Sequence, residues 1–545
     1  MTGRRPLQVA PATGVVLGVP ALAALLLCLP LFGGSFLSDD YSLIHIFDGA
    51  HGARALALAM GDMFVNGVGP PSNQYRPLVM ATLALNGVIS GSDPFGWHLV
   101  NILLHVANAV LVALLALQMS SEHSRSARYG ALMAGCLFAL FPPGIEAVAW
   151  VAARYDGMAT FWILVAGCTF VRSRTWRDRY GIGSLLATVL AFMSKESAVL
   201  GPVLIVALAW WEQGAALGML RAIPRTIMRA LPWLIVGAAY FALRLWIFGN
   251  AFRFFPGASP VQVLLTGEWL RALPGMVVWS AMTMPESGPR ALFGFAGALL
   301  LLCGVAAAWR ERAQARAFIA LAFAVTTSFA LLLAHWQWPP NGEGGRVLYA
   351  IAALASVGLT RPLCASDARL RMGAWLFACL LLASEVLIAQ STVARWARAG
   401  NDARKLIAAL AQVAATTAPG GYAFVVVPDH IGPIPFGRTA QGGLMSPPIQ
   451  ARPLSPQLVV QTEEELERWP DLFERDIVGR LQREPLERVA GNELAPKQAA
   501  PHLYPDRYYC WSSRDRALVS RPALPVTATE WTAAWEVALI SAGCR

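Results

Sequence analysis

The sequence predicts an all-α polytopic membrane protein with a small α/β domain at its C-terminal end. Three observations predict it. Of the 545 residues, 56% are hydrophobic and only 14% are charged, with a mean hydropathy of +0.50; a soluble chain of this length needs more polar surface. Apolar runs approaching the ~20 residues that cross a bilayer recur up to position 390. Arginines fall in short clusters between those runs, so the net charge of +10 reads as orientation signal and not as a nucleic-acid footprint.

The first run, Val15 to Phe32, follows Arg4 and Arg5. No small-x-small cleavage site stands out in Ala21 to Leu31, so it is expected to stay as a first span and not to leave as a signal peptide. About eleven spans are read: 13–35, 97–119, 128–142, 157–171, 181–194, 197–211, 230–248, 291–308, 317–334, 347–360 and 372–390. With the N-terminus inside, the inner loops hold Arg125 and Arg128; Arg172, Arg174, Arg177 and Arg179; Arg221, Arg225 and Arg229; Arg310, Arg312 and Arg316; and Arg361, Arg369 and Arg371. The outer loops are longer and less basic, so the positive-inside rule is met at each alternation. This requires that 250–290, apolar around Leu273 to Met284 but broken by Pro256, Pro260, Pro274 and Pro285, be interfacial or re-entrant.

The large first outer loop, 36–96, opens on Asp39 and Asp40. Within it Ala53 to Met63 suits an amphipathic helix on the membrane. A second helix starts at Tyr75-Arg76-Pro77-Leu78, with Pro77 in its first turn, and Gly91-Ser92-Asp93-Pro94 breaks it. The division expected is 1–390 as the transmembrane domain and 391–545 as a polar extracytoplasmic domain. In the latter, Tyr422 to Val427 reads as a strand and Pro428 to Pro448 as a loop. Thr462 to Trp469 reads as a helix capped by Thr462, with Glu465 at its third position. Six cysteines (Cys28, Cys136, Cys168, Cys303, Cys364, Cys379) lie in or beside apolar runs as small core residues. Cys510 and Cys544, in the tail, would be able to pair in an oxidising compartment.

The polar residues that look out of place fall on the outer side. They are Asp39 and Asp40; Arg76; the stripe His98, Asn101, His105 and Asn108 on one helix face; Glu146, Arg154 and Asp156; Lys195 and Glu196; and His335, Glu343 and Arg346. A single loop Arg or Asp is by default solvated, and a His/Asn stripe is by default interhelical hydrogen bonding. The joint pattern is harder to explain that way, because at least four separate elements contribute. Carboxylates that can act as bases stand there with cations that can hold phosphate.

FLSDDY (36–41), YRPL (75–78), GSDPFGWHLVNILLHVANA (91–109), PPGIEAVAWVAARYDGMATF (142–161), SKESA (194–198) and GGRVLYA (344–350), in this order, resemble the GT-C type integral-membrane glycosyltransferases. The likeness is to their protein O-mannosyltransferase-like and related bacterial polytopic branch; it covers about 36–350 and leaves 391–545 out. It implies a GT-C-like transmembrane catalytic domain in the bacterial inner membrane, while the loop arginines and the odd number of spans put the N-terminus in the cytoplasm and the tail in the periplasm. It implies an inverting transfer of sugar from a polyprenyl-phosphate donor to an unknown acceptor (protein, lipid or glycan) outside the cytoplasm. Carried over residue by residue, Asp39 or Asp40 is the base, with Asp39 preferred and Asp40 positioning. Arg154 and Lys195 are the first candidates for the donor phosphate, then Arg346, with Arg76 also serving the loop itself. Glu146, Asp156, His98, His105 and Glu196 orient these groups or the acceptor. The late motif Glu343-Gly344-Gly345-Arg346-Val347-Leu348-Tyr349 departs from the expected Glu-Arg-Tyr pairing. No cofactor is expected to be required; His45, His98 and His335 are the candidates if a divalent cation takes part. The competing classes are a flippase for a lipid-linked precursor, which needs polar residues on the inner halves as well, and a non-catalytic assembly protein.

Overall fold

The structure is a computed structural model. It describes residues 11–47, 52–67, 73–120, 124–218, 220–249, 266–267, 284–286, 288–333, 342–418, 421, 423–437, 440–455, 457–462, 486–489, 493–496 and 507–521. Most of the segment expected to be re-entrant, and His335, lie outside these residues.

In chain order the helices are α1 (Pro11–Cys28), α2 (Asp40–Ile46), α3 (Gly52–Val65), α4 (Pro77–Ser90), α5 (Pro94–Gln118), α6 (Arg125–Ala139), α7 (Glu146–Ala149), α8 (Arg154–Arg172), α9 (Arg179–Phe192), α10 (Leu200–Leu217) and α11 (Ile223–Phe248). They continue with α12 (Arg290–Arg310), α13 (Arg312–Leu333), α14 (Tyr349–Leu359), α15 (Ala368–Thr416) and α16 (Gln441–Leu444). The local signals act where the sequence has them. Pro77 starts α4, and the turn at Gly91 separates α4 from α5. The Ser124 side chain accepts from Ala127 N at 3.2 Å to cap α6. Asp178 caps α9 by accepting from Tyr180 N and Gly181 N at 3.0 and 2.8 Å.

Each of the eleven expected spans falls on a helix. Among the described residues seven helices are long and apolar enough to cross a membrane, or eight if the pair Arg125–Ala139 and Pro142–Ala149, bent by 57°, is one span. The others are limited by length or charge. The 14 residues of α9 reach about 21 Å at 1.5 Å per residue, short of the ~30 Å hydrocarbon layer. α8 carries Arg154, Asp156 and Arg172. Large apolar side chains such as Leu26, Ile235, Trp246, Phe295 and Leu376 are exposed on these helices, as lipid-facing surfaces require. The chain is therefore an integral membrane protein.

Packing divides the chain into two compact units: Met1–Gly33, His51–Asn86 and Phe95–Arg395; and Gly34–Ala50, Gly87–Pro94 and Trp396–Arg545. In the first, α1 packs on α6, α8 on α9, α10 on α11 and α13, and α13 on α12 and α14. One apolar core joins Met133 and Leu137 of α6, Ala296 and Leu300 of α12, and Ala374, Ala378 and Leu381 of α15.

The second unit holds a four-stranded sheet in the order β4-β1-β7-β8. β1 (Ala423–Val427) runs parallel to β4 (Leu458–Thr462) and to β7 (Arg507–Ser512), and β8 (Ala517–Arg521) is antiparallel to β7. β1 is a run of five buried residues, as a central strand must be. The expected loop 428–448 is partly ordered into the pair β2 (His430–Ile431) and β3 (Ile434–Pro435), followed by α16. Two more strands, β5 (Leu486–Val489) and β6 (Glu493–Pro496), form a separate antiparallel pair. Thr462 is not a helix cap; it closes β4 opposite Val427, because ladder pairing takes up the residue. The rest of that expected helix, 463–469, lies outside the described residues. Helix α15 has 49 residues and runs well past the expected boundary at 390. Cys510 is disulfide-bonded, and Cys544 lies outside the described residues.

Candidate active site

In the first unit the sequence-selected ions form one network of three cations, each backed by carboxylates. Arg76, just before α4, puts Nε and Nη2 on Glu196 Oε2 at 3.0 and 2.8 Å. Lys195, in the turn after α9, reaches Asp156 Oδ1 at 2.5 Å. Arg346, in the turn before α14, pairs with Glu146 of α7 and lies 3.5 Å from Glu343. In each pair the cation is the more exposed partner: 12% against 7% for Arg76–Glu196, 18% against 8% for Lys195–Asp156, and 13% against 8% for Arg346–Glu146.

The pairs also feel one another. Burial pulls the Lys195 ammonium below its ordinary value; Asp156 opposes the shift, while Arg76 and Arg346 add to it. Burial also works against the Arg76 charge, but Glu196, with Tyr155 and Asp156, outweighs it and holds the guanidinium above its ordinary range. Arg76 covers the Tyr155 ring at 4.7 Å and Arg346 the Trp150 ring at 4.5 Å, so both heads are also held by aromatic faces.

Two glycines make the Arg346 turn. Gly344 has φ +107°, a left-handed conformation, and its N–H donates to Glu146 Oε2 at 3.0 Å. A Cβ on Gly345 would lie 2.4 Å from Pro143 O. The backbone therefore comes close enough to α7 for Glu146 to hold both Gly344 and Arg346.

Arg154 has a different setting. It is fully buried, with Nε on Asn101 Oδ1 at 2.8 Å, Nη2 on Trp97 O at 3.1 Å and Nη1 on Thr82 O at 3.2 Å. These bonds tie the start of α8 to α4 and α5. The polar stripe of α5 is used the same way. Asn101 Nδ2 donates to Trp150 O at 3.1 Å, and Asn108 Nδ2 to Gly157 O at 2.9 Å. His105 Nε2 faces Ala139 O at 3.0 Å; a carbonyl only accepts, so Nε2 carries the proton and Nδ1 of the neutral ring accepts from Tyr349 Oη at 2.7 Å. His98 is buried on the same helix. Tyr349, of the late motif, thus joins the stripe, while Glu343 and Arg346 of that motif join each other.

Sequence reasoning missed Arg244. Fully buried on α11, it puts Nη1 3.4 Å from Glu196 Oε1 and Nη2 on Asn73 O at 2.9 Å. The signal was available: an arginine inside an otherwise apolar run needs a partner.

Asp39 and Asp40 belong to the second unit. Ser38 sits at φ +48°, and its Oγ donates to Asp39 Oδ1 at 3.3 Å. Asp40 is buried, and its Oδ2 accepts from Leu37 N at 3.0 Å, which closes the turn before α2. Asp39 is half-buried, the more accessible of the two. Tyr41 Oη donates to Phe36 O at 2.5 Å and locks the same turn.

No family model matches the chain. It is 33% identical over 195 residues to the protein O-mannosyl-transferase Tmtc1 of Drosophila melanogaster, covering 33% of this chain and 21% of that one. It is 32% identical over 207 residues to human protein O-mannosyl-transferase TMTC1, covering 36% and 22%. The chain thus spans about a fifth of the length of these relatives. The structure of ArnT from Cupriavidus metallidurans bound to undecaprenyl phosphate overlays with a TM-score of 0.42 at 12% identity, covering 92% of this chain and 94% of that one. These relatives are protein O-mannosyl-transferases by name, in agreement with the branch that the sequence motifs resemble.

Proposed function

We propose that this protein is a glycosyltransferase that moves a mannosyl group from a polyprenyl-phosphate donor to an acceptor hydroxyl, with inversion, on the extracytoplasmic face of a bacterial inner membrane. The sugar follows the names of the relatives, and the orientation follows the arginine-rich inner loops. The observation that carries the reading is the network of Arg76, Lys195 and Arg346, three cations each more exposed than the carboxylate behind it. Such a group suits a lipid phosphate whose negative charge grows as the glycosidic bond breaks.

In the reaction the acceptor oxygen attacks the anomeric carbon, and the bond from that carbon to the phosphate oxygen breaks. The electron pair leaves with the polyprenyl phosphate. Asp39 takes the hydroxyl proton, and Asp40 holds the turn that carries it. Phosphate is a good leaving group once held by cations, so no second carboxyl acid is needed. Glu146, Asp156 and Glu196 hold the three cations in place. Arg154, expected as a phosphate contact, is assigned a positioning role instead, since backbone carbonyls and Asn101 take its donors. His105 orients Tyr349.

The test is mannosyl transfer by purified protein in liposomes, with Asp39→Asn, Asp40→Asn and Lys195→Ala variants. Asp39→Asn is expected to lower kcat by about 10²–10⁴-fold, the usual worth of a general base. Lys195→Ala is expected to lower kcat/KM by about 10²–10³-fold. Full activity in both aspartate variants overturns the base; full activity in Lys195→Ala overturns the phosphate site.

A further inference from the structure

We propose that Phe436, Gly443 and Pro447 of the second unit seat the acid turn, and that Phe436 and Gly443 are positioning residues for the proton-transfer step. The proposal rests on the assignment of Asp39 above.

The bonds inside the acid turn, from Leu37 N to Asp40 and from Tyr41 Oη to Phe36 O, are joined by longer-range ones. Ser38 occupies a left-handed conformation at φ +48°, which an L residue keeps only where the surroundings impose it. The surroundings here are residues some 400 positions further on. Ser38 N donates to Phe436 O at 3.2 Å. Phe436 is itself fixed: its N–H donates to Asp429 O at 2.7 Å, and its ring lies 5.7 Å from that of Trp511 on β7. The carbonyl that holds Ser38 is thereby referred to the carboxyl edge of the parallel strands β1 and β7.

A second contact lies one turn along. A Cβ on Gly443 would stand 2.4 Å from Tyr41 O and 2.5 Å from Tyr41 C, so α16 approaches the backbone of α2 as only glycine permits. His45, at the far end of α2, supplies a third. Its Nδ1 lies 2.8 Å from Pro447 O and, facing a carbonyl, is the donor. On the other side Gly400 of α15 approaches Ser35, where an added Cβ would come within 2.8 Å of Ser35 N. The segment from Ser35 to His45 is thus bracketed along its length by the C-terminal unit. A carboxylate that must meet a hydroxyl within hydrogen-bond reach gains its aim from that seat.

The experiment uses full-length protein in liposomes with polyprenyl-phosphate mannose as donor, and compares wild type, Gly443→Ala and His45→Ala. Amide hydrogen exchange over 35–45 is read beside kcat and KM. In Gly443→Ala the exchange should quicken. kcat should fall by about 10²-fold, the usual cost of a misplaced catalytic group, while the KM for donor stays within about a factor of two because the cation network is untouched. His45 is exposed, so His45→Ala keeps the fold and should shift exchange and kcat the same way, more weakly. Unchanged exchange over 35–45 in both variants overturns the seat. Quickened exchange with unchanged kcat overturns the positioning role. An active Asp39→Asn enzyme, by contrast, overturns the base assignment and leaves the exchange result standing.

Discussion

Lys195 is the side chain whose chemistry is most open to measurement. Burial, with Arg76 and Arg346 nearby, holds its ammonium below the ordinary 10.5 even though Asp156 supports the charge. Deprotonation removes the cation, so transfer should fail as pH rises, with an alkaline limb below 10.5. Arginine keeps its charge in that range; Lys195→Arg should move the limb to higher pH, and a pH profile of kcat/KM for both proteins checks this. The Arg346–Glu146 pair gives a stability test. Removing one partner of a buried pair strands the other, at about 3–5 kcal/mol, so Glu146→Ala should lower the thermal midpoint clearly. Glu146→Gln, which can still accept from Gly344 N, should lower it less. At this scale the sequence was informative about which residues have charge work and less about what kind. Arg154 and Lys195 looked equivalent as letters, yet the donors of Arg154 go to Asn101, Trp97 O and Thr82 O. Nothing in a one-dimensional pattern separates an arginine that braces helices from one that faces a ligand.

Element ends were more legible, because their signals are local. Pro77 at the first turn of α4 and the Gly91 turn act where they stand. Asp178 shows how much one cap does. It accepts from Arg174, Thr175, Tyr180 and Gly181 N–H groups at 2.6, 3.0, 3.0 and 2.8 Å. Asp178→Ala should cost about 0.5–2 kcal/mol, read as a shift in thermal unfolding. Burial is the largest single influence and pushes its pKa up, but the four N–H bonds together outweigh it and hold the pKa below the ordinary 3.8. The cap's contribution is therefore fully present above that value and is lost as pH falls through the lower native one. The Gly344-Gly345 turn is the other element to test. Gly345→Ala places a Cβ 2.4 Å from Pro143 O, so the turn must shift and carry Arg346 with it. Donor KM should rise while Asp39 chemistry is intact, which steady-state kinetics on the donor will show. Thr462 marks the limit of local reading: a sound capping pattern lost to strand pairing with Val427.

For the whole molecule, hydropathy and loop arginines were enough to read a polytopic membrane protein, because a bilayer imposes length and polarity on every span. They were silent on which pieces of the chain associate. The acid turn, 36–41, was read with the first outer loop, yet it packs with the C-terminal unit through Phe436, Gly443 and Pro447. Contacts 402 residues apart, as between His45 and Pro447, leave no periodicity to read. The central claim is chemical, that the bond between the sugar and the lipid phosphate is broken here and the sugar handed on. The measurement that tests it most directly follows labelled mannose from polyprenyl-phosphate mannose in liposomes containing the purified protein and an extract of acceptor membranes. The prediction is that label leaves the lipid and joins the acceptor with inverted anomeric configuration, releasing one polyprenyl phosphate per sugar moved. Label that crosses the bilayer still joined to its lipid would contradict it.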